Sequence, residues 1–172
     1  MHRSRLFGLI AREAKGNGAP RNRRGLPALW ICPRCGARVV TQHLWHSCGH
    51  FTLEELSAKA EPSVLDLART YVSMLHTLGD VQVIAQKTRL VCVARVRFAG
   101  LSPRTDGFLA SSSLHRWLDS PRIFKTADHG PRWRGHSVLV RLEADLDDEL
   151  KAWLQEAHDI VGVQSDQQPS RG

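Results

Sequence analysis

Cys32-Pro33-Arg34-Cys35-Gly36 is answered ten residues later by His46-Ser47-Cys48-Gly49. These are side chains that bind soft metal ions, at a spacing that suits a tetrahedral site built from two arms. In Cys-x-x-Cys the chain turns back so that both thiolates reach one ion, and a second pair completes the shell. Pro33 fixes φ at the entry of that turn, and Gly36 permits the conformation at its exit. Cys48-Gly49 repeats Cys35-Gly36, which places Cys48 second in its pair and leaves His46 as the nearest candidate for the first. A histidine reaches further than a cysteine, so one intervening residue replaces two. The expected ligands are Cys32, Cys35, His46 and Cys48, with His43 and His50 as alternatives if the second arm turns differently. Four protein ligands leave no position for a catalytic water, so the expected ion is a structural Zn2+.

Two other uses of the cysteines compete with this one. A redox Cys-x-x-Cys is expected to open a helix in a βαβ setting, whereas this pair sits in a Pro/Gly turn among histidines. A disulfide framework is expected in a small secreted chain. Here four cysteines are spread over 172 residues, and no secretory signal pattern or membrane-length apolar run is seen. The setting expected from these features is cytoplasmic. Ser111, Ser112 and Ser113 offer hydroxyls, but neither a glycine elbow nor a placed acid and base accompanies them. No catalytic constellation is apparent, and the reading leans to a non-enzymatic protein.

Charge divides the chain. Residues 1–25 hold seven Lys/Arg against Glu13, residues 80–142 hold eleven against four Asp, and residues 143–172 hold two against eight Asp/Glu. The first block, broken by glycines and Pro20, buries too little apolar surface to fold and reads as a disordered basic tail over 1–28. The metal-binding arms and a short helix form a zinc-knuckle module over 29–60. An α+β domain follows over 61–163, and 164–172 reads as a loose end. The length suits one such domain with appendages.

Thr52-x-x-Glu55 has the form of a capping box and opens the short helix, ending near Lys59. Pro62 starts a longer helix to Leu78, with Val64, Leu65, Ala68, Tyr71, Val72, Leu75 and Leu78 on one stripe and Gly79 ending it. The knuckle is expected to be stitched to this helix. From Val81 the period changes to two, which predicts a strand over 81–86 and another over 89–98. If Leu90, Cys92, Ala94, Val96 and Phe98 face the core, Arg89, Arg95 and Arg97 share the opposite face. Further strands are predicted at 107–115, 122–127 and 136–143, between breaks at Ser102-Pro103, Ser120-Pro121 and Gly130-Pro131. A last helix carries Leu146, Leu150, Trp153, Leu154, Ala157 and Val161 on one stripe, with Asp145 as its cap and Gly162 as its end. The expected fold is α+β: a single, mostly antiparallel sheet of four to five strands, flanked by helices in the order α-β-β-β-β-β-α, behind the knuckle.

Taken in order, Cys32-Pro-Arg-Cys35-Gly, His46-Ser-Cys48-Gly, Gln86-Lys87-Thr88-Arg89, Arg97-Phe98-Ala99, Leu118-Asp119-Ser120-Pro121-Arg122 and Asp147-Asp148-Glu149-Leu150 before Trp153-Leu154 resemble a bacterial family of unknown function, numbered 5655 among such families. The resemblance spans roughly residues 30–162. It implies an architecture and a bacterial cytosolic setting, and no activity.

Three classes of function fit these residues. A binding module for nucleic acid would use Lys87, Arg89, Arg95 and Arg97, with Arg122 and His136 as further contacts for phosphates. A binder or enzyme for a small anionic ligand would gather Lys87, Arg89, Arg97, Arg122, His129 and His136 in a pocket between sheet and helices. A protein-interaction or regulatory domain would use the metal only to hold its shape.

Overall fold

The computed structural model describes residues 27–163 apart from 43, 45 and 47. The segments 1–26 and 164–172, where the basic tail and loose end were expected, lie outside the described residues, as does His43.

A two-stranded hairpin, β1 (Trp30–Ile31) and β2 (Arg38–Val39), precedes α1 (Leu53–Ser57) and α2 (Pro62–His76). Six strands follow: β3 (Gln82–Ala85), β4 (Leu90–Val93), β5 (Arg97–Arg104), β6 (Gly107–Leu114), β7 (Ile123–Asp128) and β8 (Arg134–Val140). They form one antiparallel sheet in the order β3-β4-β5-β6-β8-β7, so the chain crosses to the edge as β7 and returns as β8 beside β6. A short 3-10 turn at Glu143–Asp145 leads into α3 (Asp148–Glu156), whose last turns, Ala157–Gly162, widen into a π-helix. The α+β class and the antiparallel sheet are those read from the sequence, with six strands rather than four to five.

The helices start where their caps place them. Thr52 Oγ1 accepts from the Glu55 amide at 3.1 Å while Glu55 returns a carboxylate to the Thr52 amide at 2.8 Å, a complete capping box. Pro62, with no N–H to satisfy, occupies the first turn of α2. Asp147 rather than Asp145 caps α3, accepting from the Leu150 amide at 2.9 Å. Asp145 instead closes the 3-10 turn by accepting from the amides of Arg141 and Leu142.

One face of the sheet carries the core. Along β6, Phe108, Ala110, Ser112 and Leu114 are buried and alternate with the less buried Leu109, Ser111 and Ser113. Their buried face meets Leu67, Ala68, Tyr71 and Leu75 of α2 and Leu150, Trp153 and Leu154 of α3. Burying a large apolar side chain contributes about 1.5–3 kcal/mol, and both helices place their stripes on this face. Among the described residues, no helix packs on the opposite face of the sheet.

The expected single strand over 89–98 is in fact two strands joined by a bend at 94–96. The amides of Arg95 and Val96 turn away from the ladder to the carbonyl of Gly162, at 2.8 and 2.9 Å. The widened end of the last helix therefore takes the hydrogen bonds that a continuing strand would need. The chain then starts β5, which runs through the Ser102-Pro103 break. Pro103 pairs with Phe108 beyond the last β4 partner, Leu101, so on that side its missing N–H faces no neighbouring strand.

Candidate functional site

The metal-binding arms converge. Cys32 donates its amide to the Ala37 carbonyl and accepts from the Gly36 amide, at 2.9 and 2.8 Å, which closes the first turn. Gly36 has a φ of 70°, a left-handed conformation that L side chains rarely adopt. Cys48 Sγ lies 3.6 Å from Cys32 Sγ, 3.8 Å from Cys35 Sγ and 3.0 Å from His46 Nε2. All four donor atoms fall within 4.8 Å of one another. A tetrahedral ion with metal–sulfur bonds of about 2.3 Å would hold its sulfurs about 3.8 Å apart, so the spacing fits an ion at the centre. It is far too wide for a disulfide, whose sulfurs sit about 2.05 Å apart, and all the cysteines are free.

The histidine is oriented for the same purpose. His46 Nδ1–H donates to the Leu44 carbonyl at 3.0 Å, which turns Nε2 toward the sulfurs. His50 points elsewhere: its Nε2 lies 3.0 Å from the Arg34 carbonyl, bracing the first turn from outside. Burial works against the Cys32 thiolate, but the backbone at Arg34 and Cys35 and the side chains of His46 and Cys48 hold its pKa down at about 6. That neighbouring group, then burial, then Cys35 push Cys48 up to about 11. The Leu44 carbonyl, followed by Cys32, raises the pKa of His46. The Cys3His group can hold a metal ion. Cys92 takes no part in it: fully buried on β4, its thiol is pushed up to about 12 by that burial.

The knuckle docks differently from the sequence expectation. Its direct hydrogen bonds go to the edge of the sheet and the turn before it. Gln82 on β3 accepts from the Arg38 amide and donates to the Gly36 carbonyl, both at 2.9 Å, as an added strand residue would. Arg38 also pairs with Asp80 at 2.7 Å. The long helix is reached through α1, where Glu54 pairs with Arg69 of α2 at 2.9 Å. Gln82→Ala is expected to weaken this docking by about 1–2 kcal/mol, two ordinary hydrogen bonds. Hydrogen exchange over residues 30–39 should accelerate while the sheet stays protected, and unchanged exchange would show that Gln82 is not the clamp.

The uncovered sheet face is hollowed into a trough of about 700 Å³. Small residues that the ladder sets side by side lie beneath it: Ser111 opposite Ser137 and Ser113 opposite Gly135 line it, and Gly100, opposite Ser111, is buried under the Arg97 side chain. Arg89, Arg97, Lys125 and His129 line it together with Trp133, and among the described residues no carboxylate lines it. Arg97 Nη2 lies 3.6 Å from where a Cβ of Gly100 would stand, and Ser111 Oγ lies 3.3 Å from the same point. The guanidinium therefore reaches across the glycine to the middle of the floor. Any side chain at Gly100 would first strike the Leu90 carbonyl, 2.6 Å from that Cβ. Desolvation, and next the like charge of Arg89, lower the pKa of Arg97. Among the described residues, neither Arg89, Arg97 nor Lys125 is ion-paired.

The expected anion contacts thus separate. Arg89 and Arg97 meet in the trough, and His129 joins them there. Lys87 lies exposed in the β3–β4 turn, outside the trough lining. Arg95 sits in the bend and donates to the Pro27 carbonyl at 2.8 Å. Arg122 binds Asp147 at 2.7 Å, Glu149 at 2.9 Å and the Asp145 carbonyl at 2.8 Å, which turns its charge to the start of α3. His136 is among the residues lining the trough, but its ring is buried and its Nε2 accepts from the Leu118 amide at 3.1 Å. Burial, and then the Arg116 charge, lower its pKa. Lys125, Trp133 and the clamp Gln82 carried no signal in the sequence beyond their places on or beside strands.

Fold and site together define an α+β protein with a Cys3His cluster, able to hold a metal ion, on the edge of a sheet whose second face is covered by no described helix. Among the described residues, no helix is long and apolar enough to cross a membrane. Comparison with protein-family models, with curated proteins and with solved structures finds no match to this chain.

Proposed function

We propose that this protein is a zinc-stapled, non-enzymatic binding module whose open sheet face engages nucleic acid. Three thiolates and an imidazole at tetrahedral spacing are the donor set of structural zinc. When bound, the ion cross-links the two arms and supplies no open coordination position. Membership of the bacterial family numbered 5655, and the cytoplasmic setting that goes with it, belong to the same proposal and rest on the order of short motifs.

The observation that carries the nucleic-acid reading is the acid-free cationic trough centred on Arg97. Clustered cations on ordinary protein surfaces are commonly neutralised by nearby carboxylates, and Arg122 shows this at α3. Arg89, Arg97 and Lys125 are spared it, which is the footprint expected for phosphates. Electrophoretic shift titrations across salt test the reading. A log–log slope of about −0.9 per phosphate contact is expected for duplex DNA and about −0.7 for a single strand. Replacing Arg89 and Arg97 together by glutamate should remove about two contacts from that slope. Binding that ignores salt, or no binding, would end the reading.

A small anionic ligand is the second reading, favoured by the trough's volume of about 700 Å³, which is in the range of ligand pockets. Its place would be the open face and not a cleft between sheet and helices. Thermal shifts with phosphorylated metabolites, absent with oligonucleotides, would select it.

A further inference from the structure

We infer that the trough takes single-stranded nucleic acid one nucleotide deep, with a phosphate on Arg97 and Arg89 and the adjoining base against Trp133. The inference rests on the nucleic-acid reading above and says which form of nucleic acid the site recognises.

The two kinds of group stand on opposite sides of one floor. Arg97 enters from β5, and Trp133 stands just before β8. The order β5-β6-β8 puts two inter-strand spacings between those walls, roughly 10 Å. This suits the reach of a nucleotide from its phosphate to its base. The floor between them is Ser111, Ser113 and Ser137, with the Arg97 guanidinium lying over Gly100 at one side and the His129 ring over Gly135 at the other, so a ring would settle on the serines between these side chains. Their hydroxyls offer donors and acceptors that suit base edges or sugar hydroxyls of several kinds.

Trp133 is partly buried and is held by an edge contact with His115, with ring centroids 5.3 Å apart. A fixed aromatic beside a cationic groove is the arrangement by which single strands are bound without strict sequence preference. A duplex keeps its bases stacked inside, and a shallow trough on a sheet reaches only its phosphates. Unstacked bases alone bring a ring to the floor.

The test uses the full zinc-loaded chain and a fluorescein-labelled twelve-nucleotide probe of mixed sequence, as single-stranded DNA, as single-stranded RNA and as the annealed DNA duplex, read by anisotropy at one salt concentration. At least one single strand should bind tenfold or more tighter than the duplex. Trp133→Leu should weaken single-strand binding about ten- to a hundredfold, while Trp133→Phe keeps a ring and most of the affinity. Ser137→Leu, which adds bulk to the open face without entering the core, should also block the single strand, so the result does not depend on a Trp133 variant that folds. Duplex binding as tight as single-strand binding, or single-strand affinity indifferent to both Trp133→Leu and Ser137→Leu, would overturn the inference and leave the nucleic-acid reading standing. No binding of any probe would overturn both.

Discussion

Chelation is expected to remove one metal ion per chain and to expose residues 30–50 while the six-stranded sheet stays folded. The module has almost no apolar interior of its own. Its buried apolar residues are Cys32, Ala37 and Val39, and none of them belongs to the cluster that joins the sheet to α2 and α3. What would keep the two arms together is the ion, and structural zinc contributes on the order of 10 kcal/mol in small domains of this kind. What holds the module to the domain is the Gln82 clamp, the Arg38–Asp80 pair and α1. Asp80 is exposed, and such a pair is worth at most about 1 kcal/mol. Leu53 and Leu56 of α1 pack against the main core, but no metal ligand belongs to it. Hydrogen exchange should therefore show protection lost across 30–50 alone, with far-ultraviolet circular dichroism little changed. Cys48→Ser should reproduce the effect without chelator, because its sulfur lies within 4 Å of two other ligand sulfurs and of His46 Nε2. Loss of the whole sheet on chelation would make the ion part of the main core instead.

The helices were legible from the sequence because their signals are local. A capping box, a proline at the first turn and stripes at the helical period each lie within a few residues, and Thr52, Pro62 and Tyr71 stand where those signals put them. The strands were legible wherever one face is buried, as along β6. Sequence reading failed at 94–96 and at 99–104, for a long-range reason. The bend exists because the amides of Arg95 and Val96 find the Gly162 carbonyl, a residue at the far end of the chain. No periodicity in 89–98 carries that information. Pro103 misled in the same way, since a proline stops a strand only where its missing N–H faces a neighbour, and strand order decides that.

The candidate site divides along the same line. Ligand spacing within one stretch is local, and the four expected ligands converge. Arg89 and Arg97 were placed on one face by alternation, and they do meet, although the strand between them is broken. Arg95, assigned to that face by the same alternation, falls in the break. Arg122 and His136 were grouped with the others because of their type and their position on strands. Carboxylates of α3 claim Arg122, and the Leu118 amide claims the buried His136. Lys125 and Trp133 needed the strand order, because β7 and β8 reach the trough only through the crossover beside β6.

Phe108→Ala is expected to lower the stability of the whole domain by about 3–5 kcal/mol. Phe108 is fully buried on β6, paired with Pro103 of β5 on one side and Val140 of β8 on the other. Its ring lies 5.3 Å from that of Tyr71, whose hydroxyl reaches past the core to the Gly100 carbonyl at 3.3 Å. Removing the phenyl ring leaves a cavity between α2 and the middle of the sheet, and neither the strand backbone nor a fully buried tyrosine can collapse freely into it. A domain of this size has about 5–15 kcal/mol of stability in total, so the urea midpoint should fall by about a fifth or more with little change in slope. Phe108→Leu fills most of the volume and should cost less than half as much. Because Tyr71 ties α2 to the backbone of Gly100, directly beneath the Arg97 guanidinium, the trough should lose its shape in the same transition. Metal bound by the knuckle should survive it, since the four ligands lie outside this core and the ion itself would hold the two arms together. A metal-sensitive absorbance signal that follows the urea transition of the sheet would contradict that independence, and one that persists beyond it would establish it.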